Sequence, residues 1–81
     1  MFTKYVEEAM ANKARYEYLQ EDGVYFGTID GFQGVWADGA TKEECEQELR
    51  EVLEEWLLIK IRRHESVPAN SAYDLNALIA A

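Results

Sequence analysis

Two aspartates and a run of glutamates are the residues of this chain whose types could support catalysis. Asp30 and Asp38 each end a segment with strand character, and seven glutamates lie between Glu43 and Glu55. Carboxylates gathered from neighbouring strands and a helix hold the metal ions of many nucleases. Both aspartates, however, stand at predicted turns, and the glutamates occupy the predicted solvent face of a helix. We therefore predict neither a metal site nor an enzymatic activity.

His64 and Cys45 are the other side chains with catalytic potential. His64 follows Arg62 and Arg63 at the predicted end of a helix, where positive charge complements the helix dipole. Cys45 falls on the apolar stripe of the same helix, which predicts a buried and inert thiol. Neither residue has a partner acid, base or nucleophile in an evident sequence relation. The sequence predicts no catalytic residue and no cofactor.

The composition is that of one small acidic domain. The chain has 81 residues, of which 16 are acidic and 8 basic, for a net charge of −8. This charge disfavours direct binding to nucleic acid, which needs clustered Lys and Arg, and favours a basic partner. A single cysteine and the lack of a long apolar segment predict a cytoplasmic protein without a membrane span. A chain of this length buries only about 60–65% of its unfolded surface, so we expect it to form a homo-oligomer.

The elements that would position these residues follow from the spacing of apolar side chains. Helical spacing predicts a first helix over Thr3–Lys13, with Thr3 as a candidate N-cap. Alternating segments separated by an Asp-Gly turn and a glycine-framed turn predict antiparallel strands at Arg15–Gln20, Val24–Ile29 and Val35–Asp38.

The second predicted strand carries large apolar side chains on both faces. Val24 and Phe26 would face one way, and Tyr25 and Ile29 the other. This pattern predicts a central strand that is covered on both sides. Gly27, in the middle of the strand, predicts an element that packs closely across the sheet.

A long helix is predicted over Lys42–His64. Thr41 and Glu44 form a capping box, in which each side chain accepts a hydrogen bond from an unpaired backbone N–H. The residues of its apolar stripe recur at helical spacing and are predicted to face the core. They are Cys45, Leu49, Val52, Leu53, Trp56 and Leu57. Leu58 and Ile61 lie outside this stripe, which predicts that they form an oligomer interface.

The residues after the helix give weaker patterns. Pro68 prevents continuation of the helix, and Ala72–Leu75 is predicted as a short fourth strand. The whole of 1–81 is predicted as a single domain, with residues 65–81 as its C-terminal tail.

The segment Ile29–Trp56 resembles the HicB-like antitoxin family. Its members have a strand, a proline- and glycine-containing turn, a short strand, and a glycine–polar–threonine sequence that opens an acidic helix. The corresponding sequence here is Ile29-Asp30-Gly31-Phe32-Gln33-Gly34-Val35-Trp36, followed by Gly39-Ala40-Thr41 and Glu43-Glu44-Cys45. The resemblance extends over Tyr16–Pro68. Asp30 and Gln33 replace the two prolines of the family turn, and no DNA-binding segment follows the helix, as in a short stand-alone member.

The resemblance implies both a fold and a function. The fold is α+β: a three- to four-stranded antiparallel sheet packed on one long helix, in a partial ribonuclease-H-like arrangement, to which this chain adds an N-terminal helix. The implied function is that of an antitoxin, which binds a small basic mRNA-cleaving toxin (HicA-like) and masks its active site. On this basis the predicted partner-binding residues are Phe32, Trp36, Glu43, Glu46 and Glu54. The alternative is an orphan homo-oligomeric protein-binding scaffold of the same fold without a toxin partner.

Overall fold

The fold is described by a computed structural model over residues 2–67. It consists of two helices and three strands, in the order α1 (Phe2–Asn12), β1 (Ala14–Leu19), β2 (Val24–Ile29), β3 (Trp36–Gly39) and α2 (Lys42–Arg62). This arrangement confirms the predicted α+β class, with an N-terminal helix, a three-stranded antiparallel sheet and a long helix. The predicted fourth strand at Ala72–Leu75 lies outside the described residues.

Helix α1 buries one narrow face, as its periodicity predicts. Tyr5, Val6 and Ala9 are fully buried and belong to the same core cluster as the apolar stripe of α2. The helix already includes Phe2, so Thr3 lies in its first turn and is not its N-cap. A helix of 11 residues is too short to be stable alone, and its packing on α2 supplies the missing stability.

The sheet is a meander in which β2 lies between β1 and β3. Its register pairs Tyr16 with Gly27 on one side, and Gly27 with Ala37 on the other. The β1–β2 turn ends at Gly23, which has a φ of 66° and donates a hydrogen bond of 2.8 Å to the carbonyl of Leu19. A positive φ of this kind is accessible to glycine at low cost, which explains the Asp-Gly pattern of the sequence.

One face of the sheet packs on α2 at the position of Gly27. A Cβ atom on Gly27 would lie 3.0 Å from Cys45 Sγ and 3.2 Å from Leu49 Cδ2. The close packing partner predicted from this glycine is therefore confirmed, and it is α2. Gly39 is even more closely approached, because a Cβ there would lie 2.5 Å from the backbone nitrogen of Cys45.

The opposite face of the sheet is only half covered, which corrects one prediction. β2 is central, but both helices contribute to the core on the α2 side. Val24, Phe26 and Thr28 are half-buried on the other side, and Trp36 beside them is 54% exposed. Within residues 2–67, β2 is thus covered on one side rather than two.

Helix α2 begins at Lys42, as predicted. The Thr41 hydroxyl accepts a hydrogen bond of 3.1 Å from the backbone N–H of Glu44, which is one half of the predicted capping box. Four residues of the apolar stripe are fully buried: Cys45, Leu49, Leu53 and Leu57. The helix ends at Arg62 rather than at His64.

A local backbone motif explains this end. His64 has a φ of 56°, in the left-handed region. Its N–H donates to the carbonyl of Ile61, and the N–H of Glu65 donates to the carbonyl of Lys60. This pair of hydrogen bonds is the Schellman pattern, which closes a helix and turns the chain away from its axis.

Candidate partner-binding surface

The five residues predicted to bind a partner do not form one surface. Phe32 is only 3% exposed, and its ring packs edge-on against Tyr5 and Trp56, with centroids 6.1 Å and 5.5 Å away. Although Phe32 lies in the glycine-framed turn, it is covered by Tyr5 of α1. Phe32 is therefore a core residue, and we remove it from the partner surface.

Glu43 and Glu46 do lie together, on the flank of α2 that faces α1. Together with Met10, Gln47 and Arg50, they line a shallow depression. Both glutamates are exposed. Glu54 lies apart from them, beside Leu58 on the outer side of α2.

The C-terminal part of α2 presents a different apolar residue from the one predicted. Leu58 is 51% exposed, in agreement with its place outside the stripe. Ile61 is half-buried against the subunit's own core, and its assignment to an oligomer interface stays a prediction. The adjacent residue Ile59 is also exposed, at 46%, and the sequence did not single it out.

Trp36 belongs to an aromatic platform on the open face of the sheet, which we define as Phe26 and Trp36. The two rings stack with centroids 5.6 Å apart and planes inclined by 30°. Phe26 lies between Glu17 and Asp38 in the cross-strand register, so a carboxylate stands on either side of it. Cross-strand partners share a face of the sheet, and both acids are exposed.

A groove along the outer edge of β3 continues this surface. It is lined by Gly34, Trp36, Ala37, Asp38, Glu48 and Val52. The groove brings a third carboxylate, that of Glu48 on α2, to the side of Trp36. The sequence analysis missed Phe26, Glu17 and Asp38 as parts of one surface. The Asp-Gly hairpin could have supplied the register that places Glu17 opposite Phe26.

The charges on this face are unevenly compensated. Arg15 is the basic residue of β1, and its Nε lies 2.7 Å from Asp30 Oδ2. This cation therefore already has a partner. Neither Glu17 nor Asp38 forms an ion pair with any residue between 2 and 67. The open face therefore combines the exposed ring of Trp36 and the half-buried ring of Phe26 with uncompensated negative charge.

The environment of the Cys45 thiol is that of a core residue. Burial raises the pKa of the Cys45 thiol above its ordinary value of 9.0, and the negative charge of Asp38 raises it further. The thiol contacts the carbonyl of Ala37 at 3.6 Å. A raised pKa leaves less thiolate at neutral pH, as is typical of a buried core cysteine.

The pKa values of Tyr16 and Glu65 are also shifted by their immediate surroundings. Burial raises the pKa of Tyr16, with smaller contributions from Glu46 and Cys45, while Lys42 Nζ lies 5.3 Å from the ring centroid. The hydrogen bond and charge of Lys60, 2.9 Å away, lower the pKa of Glu65. Lys60 also lies 5.2 Å from the Trp56 ring centroid, and these contacts hold the end of α2.

Among residues 2–67, no three His, Cys, Asp or Glu side chains are grouped so that they could hold a metal ion. Neither helix over the same range is both long and apolar enough to cross a lipid bilayer.

Comparison with known proteins places this geometry in a family. Among curated proteins, no relative matches the chain. The crystal structure of TTHA0281 from Thermus thermophilus is similar, with a TM-score of 0.78 and 45% sequence identity over 85% of this chain and 84% of that one. Residues 4–68 match the model of the UPF0150-like family, and the chain therefore belongs to this family, which is related to the HicB-like proteins.

Proposed function

We propose that this protein is an antitoxin that binds and neutralises a small basic mRNA-cleaving toxin by masking its active site. Membership of a HicB-related family over residues 4–68 is the observation that carries the proposal. The acidic surface supports it. A net charge of −8 attracts a basic protein at long range and raises the rate of association.

The arrangement of the acids fits a binding role rather than a catalytic one. Glu43 and Glu46 lie on one flank of α2, Glu48 on the other, and Glu54 between them on the outer side. Charges distributed in this way produce a broad negative field without a common point at which a substrate would react. A toxin that binds RNA needs a positive surface, which is complementary to this field.

The test is co-expression with the product of the neighbouring reading frame, which the proposal predicts to be a small basic protein. Expression of that protein alone should arrest growth and deplete mRNA, and expression of this chain should restore both. Leu53→Asp provides the control, since Leu53 is fully buried and a carboxylate there would unfold the domain. The proposal is wrong if the neighbouring protein is harmless, or if it does not co-purify with this chain.

The second candidate is a homo-oligomeric scaffold, and the exposed Leu58 and Ile59 favour it. Two adjacent apolar side chains about half exposed on one helix are a common element of subunit interfaces. Sedimentation velocity distinguishes the candidates. A stable oligomer that becomes monomeric in Leu58→Ser/Ile59→Ser, together with a harmless neighbouring protein, would favour the scaffold. Ala40→Ser, an exposed substitution remote in sequence from this pair, is the control.

A further inference from the structure

We infer that the aromatic platform, Phe26 and Trp36, is the docking surface for the basic partner and receives an arginine or lysine side chain over its rings. The inference deepens the proposed function and rests on it for the identity of the partner as a basic protein. It places the contact on the open face of the sheet, and not on the glutamates of α2 that the sequence suggests.

The first argument is chemical. Trp36 is 54% exposed and held by its stacking on Phe26, so an aromatic face is presented with little freedom to move. Cations are attracted to the faces of such rings, Trp being the best of them. Large, rigid aromatic side chains with limited conformational entropy are also enriched among the residues that dominate binding energy.

The second argument is charge complementarity. Glu17 and Asp38 stand on either side of Phe26, and Glu48 lines the groove beside Trp36. A cationic side chain over the platform would therefore meet carboxylates on both sides as well as the rings. Glu17 and Asp38 are available for this role because they lack ion pairs within residues 2–67.

The same charges argue against a second copy of this chain as the occupant. Two copies joined through this face would bring Glu17 and Asp38 of one subunit against acids of the other, in molecules that each carry a charge of −8. Like charges opposed across a sheet interface are destabilising. Arg15, the nearest cation on the same face, is already bound to Asp30 at 2.7 Å.

The test uses NMR titration of the isotope-labelled full chain with a blocked hexa-arginine peptide. Hexa-citrulline, which has the same shape without the charge, is the control probe. We expect saturable shifts of the Trp36 indole N–H and of the amides around Phe26, and none with hexa-citrulline. Glu17→Gln/Asp38→Asn should weaken binding about fivefold, and Trp36→Ala about threefold.

The matched control variant is Glu43→Gln/Glu46→Gln. This variant also removes two negative charges, but from the flank of α2. If the platform is the site, the affinity should therefore fall by less than about twofold. Equal losses in the two double variants, or shifts confined to α2, would overturn the inference. It would also be overturned if sedimentation showed a dimer that Trp36→Glu dissociates, since a second copy would then cover the platform.

The outcome is separable from that of the proposed function. If the neighbouring protein proves harmless but the peptide binds at the platform as described, the antitoxin role fails and the cation-binding surface stands. If Glu17→Gln/Asp38→Asn neutralises the toxin as well as the unmodified chain does, the antitoxin role stands and the docking inference is wrong.

Discussion

Gly39 and Gly27 determine how closely α2 can approach the sheet, for different reasons. At Gly39 a Cβ would collide with the backbone of α2 itself, 2.5 Å from the nitrogen of Cys45 and 3.0 Å from its Cα. At Gly27 the tightest contact is with the Cys45 side chain, whose Sγ lies 3.0 Å away. Backbone at the start of a capped helix cannot move without disturbing the cap, whereas a side chain can be replaced.

A double-mutant cycle tests this difference. Gly39→Ala should lower the free energy of unfolding by about 3 kcal/mol, and Gly27→Ala by about 1 kcal/mol, as expected for overpacking. Cys45→Ala removes Sγ, so it should recover much of the loss caused by Gly27→Ala and none of that caused by Gly39→Ala. Urea denaturation of the three single and two double variants gives these values. Equal coupling of both glycines to Cys45 would contradict the assignment.

The two aromatic residues of the turn and third strand should respond oppositely to truncation. Phe32→Ala removes a ring buried between Tyr5 and Trp56, and is expected to cost about 3–4 kcal/mol, a large share of the stability of a domain of this size. Trp36→Ala removes a half-exposed ring and should cost less than about 1 kcal/mol.

Phe32→Leu guards against complete unfolding of the alanine variant, because it retains most of the buried volume. Its expected cost is about 1 kcal/mol. Thermal and urea unfolding measure these values, and a larger loss for Trp36→Ala than for Phe32→Leu would show that the core has been misassigned.

The raised pKa values of Tyr16 and Cys45 predict a loss of stability at alkaline pH. Groups whose pKa is raised on folding contribute stability that is fully present below the unfolded-state pKa and is lost as the pH rises through the folded-state pKa. The window begins near the ordinary values of 9.0 for Cys45 and 10.0 for Tyr16.

Tyr16→Phe should therefore lose less stability than the unmodified chain as the pH rises above about 10. Urea unfolding at several pH values measures the difference. Tyr18→Phe, on the same strand and half exposed, controls for the loss of a tyrosine hydroxyl. The same alkaline loss in Tyr16→Phe and the unmodified chain would show that Tyr16 is not one of the groups responsible.

At the scale of elements, local chemistry made the fold predictable while tertiary packing decided which residues are accessible. Thr41 and Glu44 mark the start of α2 because a cap is a contact between residues three apart. The exposure of Phe32 depends on α1, which is distant in sequence, so no local pattern could reveal its burial. Ile59 and Ile61 are two positions apart on one helix, yet Ile59 is exposed and Ile61 packs against the core. This difference in exposure depends on the tertiary packing around α2.

The N-terminal cap of α2 gives a prediction at this scale. Thr41→Ala removes the hydroxyl that accepts the N–H of Glu44, and should lower the free energy of unfolding by about 1 kcal/mol. Thr41→Ser keeps the acceptor, so it should cost less than half as much. Urea denaturation compares them. Equal losses would indicate that the methyl group of Thr41, and not its hydrogen bond, stabilises the helix start.

Over the whole molecule, acidity favours the proposed partner and opposes the folded state. Compact folding brings the charges of 16 acidic residues closer together, with only 8 basic residues to offset them. Much of this repulsion is concentrated on α2, where Glu44, Glu48, Glu51 and Glu55 follow one another three or four positions apart on the exposed surface. Like charges at this spacing destabilise a helix. A basic partner would relieve the repulsion, so binding and stability are expected to rise together.

Salt should weaken the same repulsion among the acidic residues in the absence of a partner. Raising NaCl from about 0.01 M to about 0.5 M shortens the screening length from roughly 30 Å to less than about 5 Å, and should raise the free energy of unfolding by about 1 kcal/mol. Glu51→Lys places a cation between Glu48 and Glu55, so it should stabilise the chain at low salt by about 0.5–1 kcal/mol and reduce its salt dependence. The stability of Glu51→Gln at low salt should lie between those of the unmodified chain and Glu51→Lys. If salt lowers stability instead, attractive ion pairs such as Arg15–Asp30 outweigh the repulsion among the glutamates.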